Sequence, residues 1–375
     1  MNKKLAYSFL FVLCFSLLLC GCKNDPKGTD TKKKDKKEEV TEEVDYGELP
    51  VKNLELLAME NDPEAAYRLG QIYDYGLSEQ NQDFEESKKW YENALNNGDN
   101  RAPVSLGYMY LNGCGVPIDY DKAMEYFNMA VDMDNPEGYV GIGRVYLDQK
   151  DESNYFLAYK NIRIASDLEL LDGFYYMGYL YENGYGVPMD IEKAMLSYQL
   201  VLLNPSEDVN DQFAINSANT RLGIIYATGK TGEIDGKKAH DYFEVASDNG
   251  FVLASYYLGM MYEMGTGIDK DYDKALEYFE LAGEKDYAPA LNQIGYMYFN
   301  GLGVESDYEQ AAYYQKLAAV QGYAPAQVNL GFLYENGYGV ELNPDTALQY
   351  YKLAYEQDYE GASEAITRVE NMLQN

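Results

Sequence analysis

An all-α solenoid of antiparallel helix pairs is the fold class this sequence predicts, and three observations predict it. An apolar residue followed by glycine recurs at Leu69-Gly70, Leu106-Gly107, Ile142-Gly143, Met177-Gly178, Leu222-Gly223, Leu258-Gly259, Ile294-Gly295 and Leu330-Gly331, at intervals of 37, 36, 35, 45, 36, 36 and 36 residues. Around each glycine, fixed residue types repeat at helical spacing. Twelve residues further on, an Asp or Asn opens a second amphipathic stretch. Self-similarity at this period marks an array of units, each burying its apolar face only by stacking on its neighbours.

The chain opens MNKKLAYSFLFVLCFSLLLCGCKND, where Lys3 and Lys4 precede an apolar run from Leu5 to Leu19. About 20 apolar residues are needed to cross a bilayer, and this shorter run with a basic start has the form of an export signal. Leu19-Cys20-Gly21-Cys22 resembles the lipobox of bacterial lipoproteins, although Cys20 stands where a small or hydroxylated residue is more usual. The resemblance implies cleavage after Gly21, residues 1–21 being the signal, and lipid on Cys22. The mature protein is then exported and membrane-anchored, facing the periplasm or the cell exterior. Cys14 and Cys20 would leave with the signal, and Cys114 would remain as a lone thiol, so no intramolecular disulfide is expected.

After Cys22, residues 23–45 hold almost no apolar side chains, and a lysine cluster (Lys32, Lys33, Lys34, Lys36 and Lys37) precedes an acidic one. Such a segment cannot bury enough surface to order itself and reads as a tether, its lysines able to lie on anionic headgroups. The whole chain carries 30 basic and 62 acidic side chains, a net charge of −32, and loss of Lys3 and Lys4 would take it to −34. So negative a field excludes nucleic acid as a partner.

VKNLELLAMEN, within residues 46–61, reads as a capping helix with Leu54, Leu57 and Ala58 facing inward. Eight repeats follow over residues 62–360. In each, a small residue stands five before the glycine (Ala65, Ala102, Gly138, Gly173, Ala218, Ala254, Ala290, Ala326) and a tyrosine three after it (Tyr73, Tyr110, Tyr146, Tyr181, Tyr226, Tyr262, Tyr298, Tyr334). Those positions share one face of a first helix, helix A. Glycine inside a helix costs about 1 kcal/mol relative to alanine, so its recurrence predicts a close approach by a neighbouring helix. Asp83, Asp119, Asp190, Asp235, Asp271, Asp307 and Asn343 are expected to cap a second helix, helix B, through their side-chain oxygens. Helix B carries Ala123, Ala194, Ala239, Ala275, Ala311 and Ala347, with aromatic residues three or four positions later. Residues 361–375 keep the register of a ninth helix A with Ala362 and Ile366, then turn polar as a cap should.

The combined pattern, legible in APVSLGYMYLNGCGVPIDYDKAMEYFNMA and in APAQVNLGFLYENGYGVELNPDTALQYYKLA, resembles the Sel-one-like repeat, a relative of the tetratricopeptide repeat. The resemblance implies a right-handed superhelix of helix pairs and a scaffold or adaptor role. It spans residues 60 to 360.

Catalytic chemistry finds little support. YENGYGV occurs at 181–187 and again at 334–340, but it follows a helix, whereas a glycine-rich phosphate loop follows a strand. Its glycines read as a helix terminator and a turn. In GIIYATGKTGE, the GKT at Lys230 fails the phosphate-loop motif on spacing. Cys114 has no partner histidine, and the single histidine, His240, occupies a repeat position filled elsewhere by Met124, Leu276 and Leu348. One histidine cannot support histidine-rich metal chemistry or much acid-base work. No catalytic residue, metal or cofactor is therefore expected, and a hydrolase is the least favoured function.

Tyrosine, with 40 copies, is the remaining oddity, and repeat packing explains only part of it. Tyr108, Tyr179 and Tyr296 follow the anchor glycine, while Tyr185 and Tyr338 vary freely between the loop glycines. These five are the candidate partner-binding residues, because tyrosine offers rigid, amphipathic contact area. The expected partner is a protein or peptide held on the concave surface of the solenoid, favoured if basic by the acidic field. A cell-wall glycan stacking on the same rings is the alternative. The repeat breaks over residues 148–219, where DQKDESN replaces a glycine loop and nine extra residues appear within LLNPSEDVNDQFAINSANT, a break that fits a binding insertion, a kink or drift without function.

Overall fold

The computed structural model describes residues 45–374 except 48, 79, 205, 207 and 208. The signal, Cys22 and nearly all of the tether lie outside the described residues. Those that are described form eighteen α-helices and no strand, in two compact units that divide between Val201 and Leu202.

In the first unit, α1 (Val51–Met59) precedes four helix pairs: α2 (Pro63–Tyr75) with α3 (Phe84–Asn96), α4 (Ala102–Asn112) with α5 (Tyr120–Asp132), α6 (Glu137–Asp148) with α7 (Tyr155–Asp167), and α8 (Leu171–Asn183) with α9 (Ile191–Leu203). The second unit contains α10 (Val209–Thr228) with α11 (Gly236–Asp248), α12 (Val252–Met264) with α13 (Tyr272–Gly283), α14 (Ala288–Asn300) with α15 (Tyr308–Val320), and α16 (Ala324–Asn336) with α17 (Pro344–Tyr355). It ends in α18 (Ala362–Gln374). The predicted caps are in place, with side-chain oxygens of Asp83, Asp119, Asp190, Asp235, Asp271, Asp307 and Asn343 accepting from amides of the first turn of helix B. Leu54 and Ala58 are buried on α1, and Ala362, Ala365 and Val369 on α18.

Each anchor glycine faces one side chain of its own helix B. An added Cβ would meet Phe127 at Gly107, Tyr198 at Gly178, Phe243 at Gly223, Phe279 at Gly259 and Tyr351 at Gly331, all at 2.6–2.8 Å. The gain that offsets glycine's cost is therefore a fully buried ring occupying the space of a methyl group. Repeat three uses Ile162 and repeat seven Gln315 in that place.

Three expectations change. The tyrosines three residues after the glycine lie at the edge of the core, and only Tyr110 is buried. At 3.6 residues per turn, the residue two after the glycine stands nearer the small-residue face, and Ile72, Met109, Val145, Leu180, Ile225, Met261, Met297 and Leu333 are all buried there. The extra residues before repeat five lengthen a helix, giving α10 20 residues where most other helices have 12 or 13. Thr220 and Asn219 in that helix return their side-chain donors to the carbonyls of Asn216 and Ile215, which is how polar residues tolerate burial in a helix. Finally, Cys114 is disulfide-bonded, so it is not a lone thiol.

Candidate partner-binding surface

The loop between helices A and B positions the most conspicuous aromatic residues. Gly337 ends α16 in the left-handed conformation at φ 70°. Gly339, at φ 67°, lies flat on the start of the preceding helix B, where a Cβ would overlap the carbonyl oxygen of Tyr308. Gly186 approaches the carbonyl of Tyr155 in the same way, and Gly303 that of Tyr272. The close approach drives the residue between the glycines onto the neighbouring repeat. Tyr338 consequently stands at the centre of an aromatic cluster, its ring centroid 5.0 Å from Tyr308, 5.6 Å from Phe299 and 5.9 Å from Phe332. Tyr185 stands 4.4 Å from Tyr155 and 5.9 Å from Tyr179. The two copies of YENGYGV thus build two aromatic clusters, one in each unit.

The five candidate tyrosines differ in what they offer. Tyr296 is exposed (45%), while Tyr308 (43%) and Phe332 (40%) are exposed members of the Tyr338 cluster, so the second unit presents aromatic surface around Tyr338. Tyr179, Tyr185 and Tyr338 are half-buried hubs of the clusters. Tyr108 packs edge-on against Phe127 at 5.0 Å, and burial pushes its phenol well above the ordinary range. The guanidinium of Arg144 lies over both Tyr108 (5.7 Å) and Tyr176 (5.5 Å) and pairs with Asp148 at 3.3 Å. Arg144 thus covers the ring face that Tyr108 would have offered.

Sequence reasoning missed the acid in YENGYGV. Glu182 and Glu335 are buried and accept hydrogen bonds from Tyr198 (2.8 Å) and Tyr351 (2.7 Å), the rings that face the anchor glycines. Asp74 accepts likewise from Tyr91 at 3.2 Å. The signal was an acid four residues after the glycine in repeats whose helix B carries tyrosine at the facing position. Arg368 of α18 also grips Glu335, at 2.6 and 2.8 Å, and that pairing, ahead of opposing desolvation, holds the Glu335 carboxyl below its usual range.

Asp74 moves the other way: burial raises its pKa to about 6, the Tyr91 hydrogen bond opposing. A folded-state pKa above the unfolded value of about 3.9 means that the folded chain holds a proton the unfolded chain has lost, so stability falls as pH rises from about 4 to about 6. Asp74→Asn should remove that component. Compared by denaturant unfolding at pH 4 and pH 7, wild type should lose about 2–3 kcal/mol more than the variant.

His240 is half-buried, with Nε2 2.9 Å from the Tyr262 hydroxyl and Nδ1 3.8 Å from Glu244 and 3.9 Å from Asp241. Lys230 follows the terminating Gly229 of α10, in a turn after a helix.

Glycine-anchored helix pairs, ring-for-methyl packing and loops that clamp onto the preceding repeat define a helical-repeat solenoid. The chain belongs to the Sel1 repeat family, whose repeat model matches residues 63–99, 104–135, 175–196, 216–251, 252–287, 288–323 and 324–359. The unmatched stretch between 135 and 175 contains α6 and α7, where Gly143 faces Ile162 in the same geometry. Sel1 repeat proteins are generally non-catalytic scaffolds for protein interactions. A Sel1 repeat protein from Oxalobacter formigenes shares the fold, with a TM-score of 0.55 at 23% identity over 85% of this chain and 90% of that one. A protective antigen of uropathogenic Escherichia coli with an SLR fold aligns at 22% identity and a TM-score of 0.33 over 86% of this chain and 91% of its own. The ERAD-associated E3 ubiquitin-protein ligase component HRD3B of Arabidopsis thaliana is 35% identical over 95 residues, which is 25% of this chain and only 15% of that protein.

Proposed function

We propose that this chain is a lipid-anchored, extracytoplasmic scaffold that binds a protein or peptide through the face carried by its first helices and loops, without catalysis. The observation that carries this reading is the aromatic cluster of Tyr338 with Phe299 and the exposed rings of Phe332 and Tyr308. Exposed aromatic anchors on rigid elements are what protein interfaces use for affinity. Anchoring follows from the leader and Cys22, and Cys22→Ser should abolish palmitate labelling and membrane retention.

The binding test compares wild type with the Phe332→Ala, Tyr338→Ala variant in capture from the native envelope. One protein should be retained by wild type and lost, by about tenfold or more, from the variant. Equal capture by both would refute the site, and recovery of glycan fragments alone would favour the sugar reading. Salt separates those two cases, since steering by an acidic field weakens with ionic strength while ring stacking on a sugar barely changes.

A further inference from the structure

In five repeats, the tyrosine of helix A stacks on a tyrosine of helix B. The pairs are Tyr110 with Tyr126, Tyr226 with Tyr242, Tyr262 with Tyr278, Tyr298 with Tyr314 and Tyr334 with Tyr350, with centroids 5.7–6.0 Å apart and planes within 16°. A lysine three residues after the helix B cap covers the first ring in several repeats: Lys122 over Tyr110 (4.9 Å), Lys193 over Tyr181 (5.3 Å), Lys238 over Tyr226 (4.9 Å) and Lys274 over Tyr262 (5.0 Å). The same ammonium reaches the capping carboxylate, Lys193 to Asp190 and Lys238 to Asp235, each at 3.2 Å. Ring face and carboxylate together make a socket for a primary ammonium, the ring's negative face and the acid both favouring the cation.

Repeat seven keeps the socket and lacks the lysine. Tyr298 stacks on Tyr314 and Asp307 caps α15, but exposed Gln310 stands where four other repeats place lysine. Burial raises the Tyr298 phenol pKa, and the Glu280 and Asp307 carboxylates raise it further, so both acids act at this ring. Glu280 acts on Tyr314 as well, after burial and Tyr298. Repeat eight supplies a contrast within the same unit: Tyr334 stacks on Tyr350, but the cap is neutral Asn343 and the lysine position holds Thr346.

We infer that the repeat-seven socket, formed by Tyr298 and Asp307, receives a lysine side chain from a basic segment of the partner protein. The inference rests on the protein-binding reading above and gives that partner its chemistry. A primary ammonium is what the fold itself places in the equivalent socket four times. The chain's net charge of −32 favours approach of such a segment.

The test uses the full chain in mild detergent and a fluorescent decapeptide of alternating lysine and serine, titrated by anisotropy in about 0.15 M salt, where attraction beyond about 8 Å is screened. Gln310→Lys fills the socket with the chain's own lysine, as four other repeats already do, and should weaken binding about fivefold. Tyr298→Leu should weaken it by a similar factor. Met59→Lys adds the same charge at an exposed position on α1 and should change affinity less than twofold. The peptide with acetylated lysines should not bind. Equal weakening by Gln310→Lys and Met59→Lys would show attraction to the overall field only and overturn the socket. An unchanged affinity in Gln310→Lys would overturn it as well. If Gln310→Lys still captures the wild-type envelope partner undiminished, the socket fails while the scaffold reading stands; if wild type captures no protein, it is the scaffold reading that fails.

Discussion

Gly339→Ala is expected to destabilise the eighth repeat by about 3 kcal/mol or more, as left-handed strain and overlap with a neighbour add. The added Cβ would fall on the backbone carbonyl of Tyr308, which cannot rotate away as a side chain could, so the loop would have to lift off α15. Tyr338 would leave its cluster with it. Amide exchange should accelerate across α16, α17 and α18. Gly322→Ala is the control: its φ of 85° is also left-handed, but nothing lies within 4 Å of the added carbon. That variant should cost only about 1–2 kcal/mol. If the two substitutions cost the same, close approach of the loop to the preceding repeat would not be what holds it.

Gly259→Ala sets packing against helix propensity. On propensity alone, alanine inside a helix should stabilise by about 1 kcal/mol. The added carbon would lie 2.6 Å from Phe279 Cδ1, and Phe279 is fully buried with no room to retreat. Overpacking of this kind costs about 1–3 kcal/mol before any propensity gain, so a net loss is expected in denaturant unfolding. Phe279→Leu should partly rescue it, with a coupling of at least about 1 kcal/mol in the double-mutant cycle. A stabilised Gly259→Ala protein would contradict the ring-for-methyl account.

The parts of this fold that were legible in the sequence are those fixed within one repeat. Capping by Asp119 or Asp271 is decided within three residues of chain, and glycine termination of α16 within one turn. The need for something large opposite each anchor glycine could be inferred, since the cost of glycine had to be offset, but the identity of the ring required knowing how helix B sits on helix A. The candidate site divides along the same line. Tyr338 and Tyr185 stood out because they vary between fixed glycines, and the structure places both at aromatic hubs. Tyr108 looked equivalent to Tyr296, but the residue that covers it, Arg144, comes from the next repeat. The hydrogen bonds of Glu335 to Tyr351 and Arg368 likewise join residues 16 and 33 positions apart. No single-repeat pattern carries such pairings, although the coincidence of an acid after the glycine with tyrosine on helix B was there to be read.

The central claim is that the aromatic face around Tyr338 is where this scaffold meets a protein. It is tested most directly by placing a photo-crosslinking amino acid at Phe332, beside Tyr338, and in a second variant at Leu353 on α17, which is similarly exposed at 44%. After irradiation in the native envelope, Phe332 should yield one discrete protein adduct that disappears when Tyr338→Ala is added, and Leu353 should yield none. An adduct at Leu353 with none at Phe332 would contradict the account.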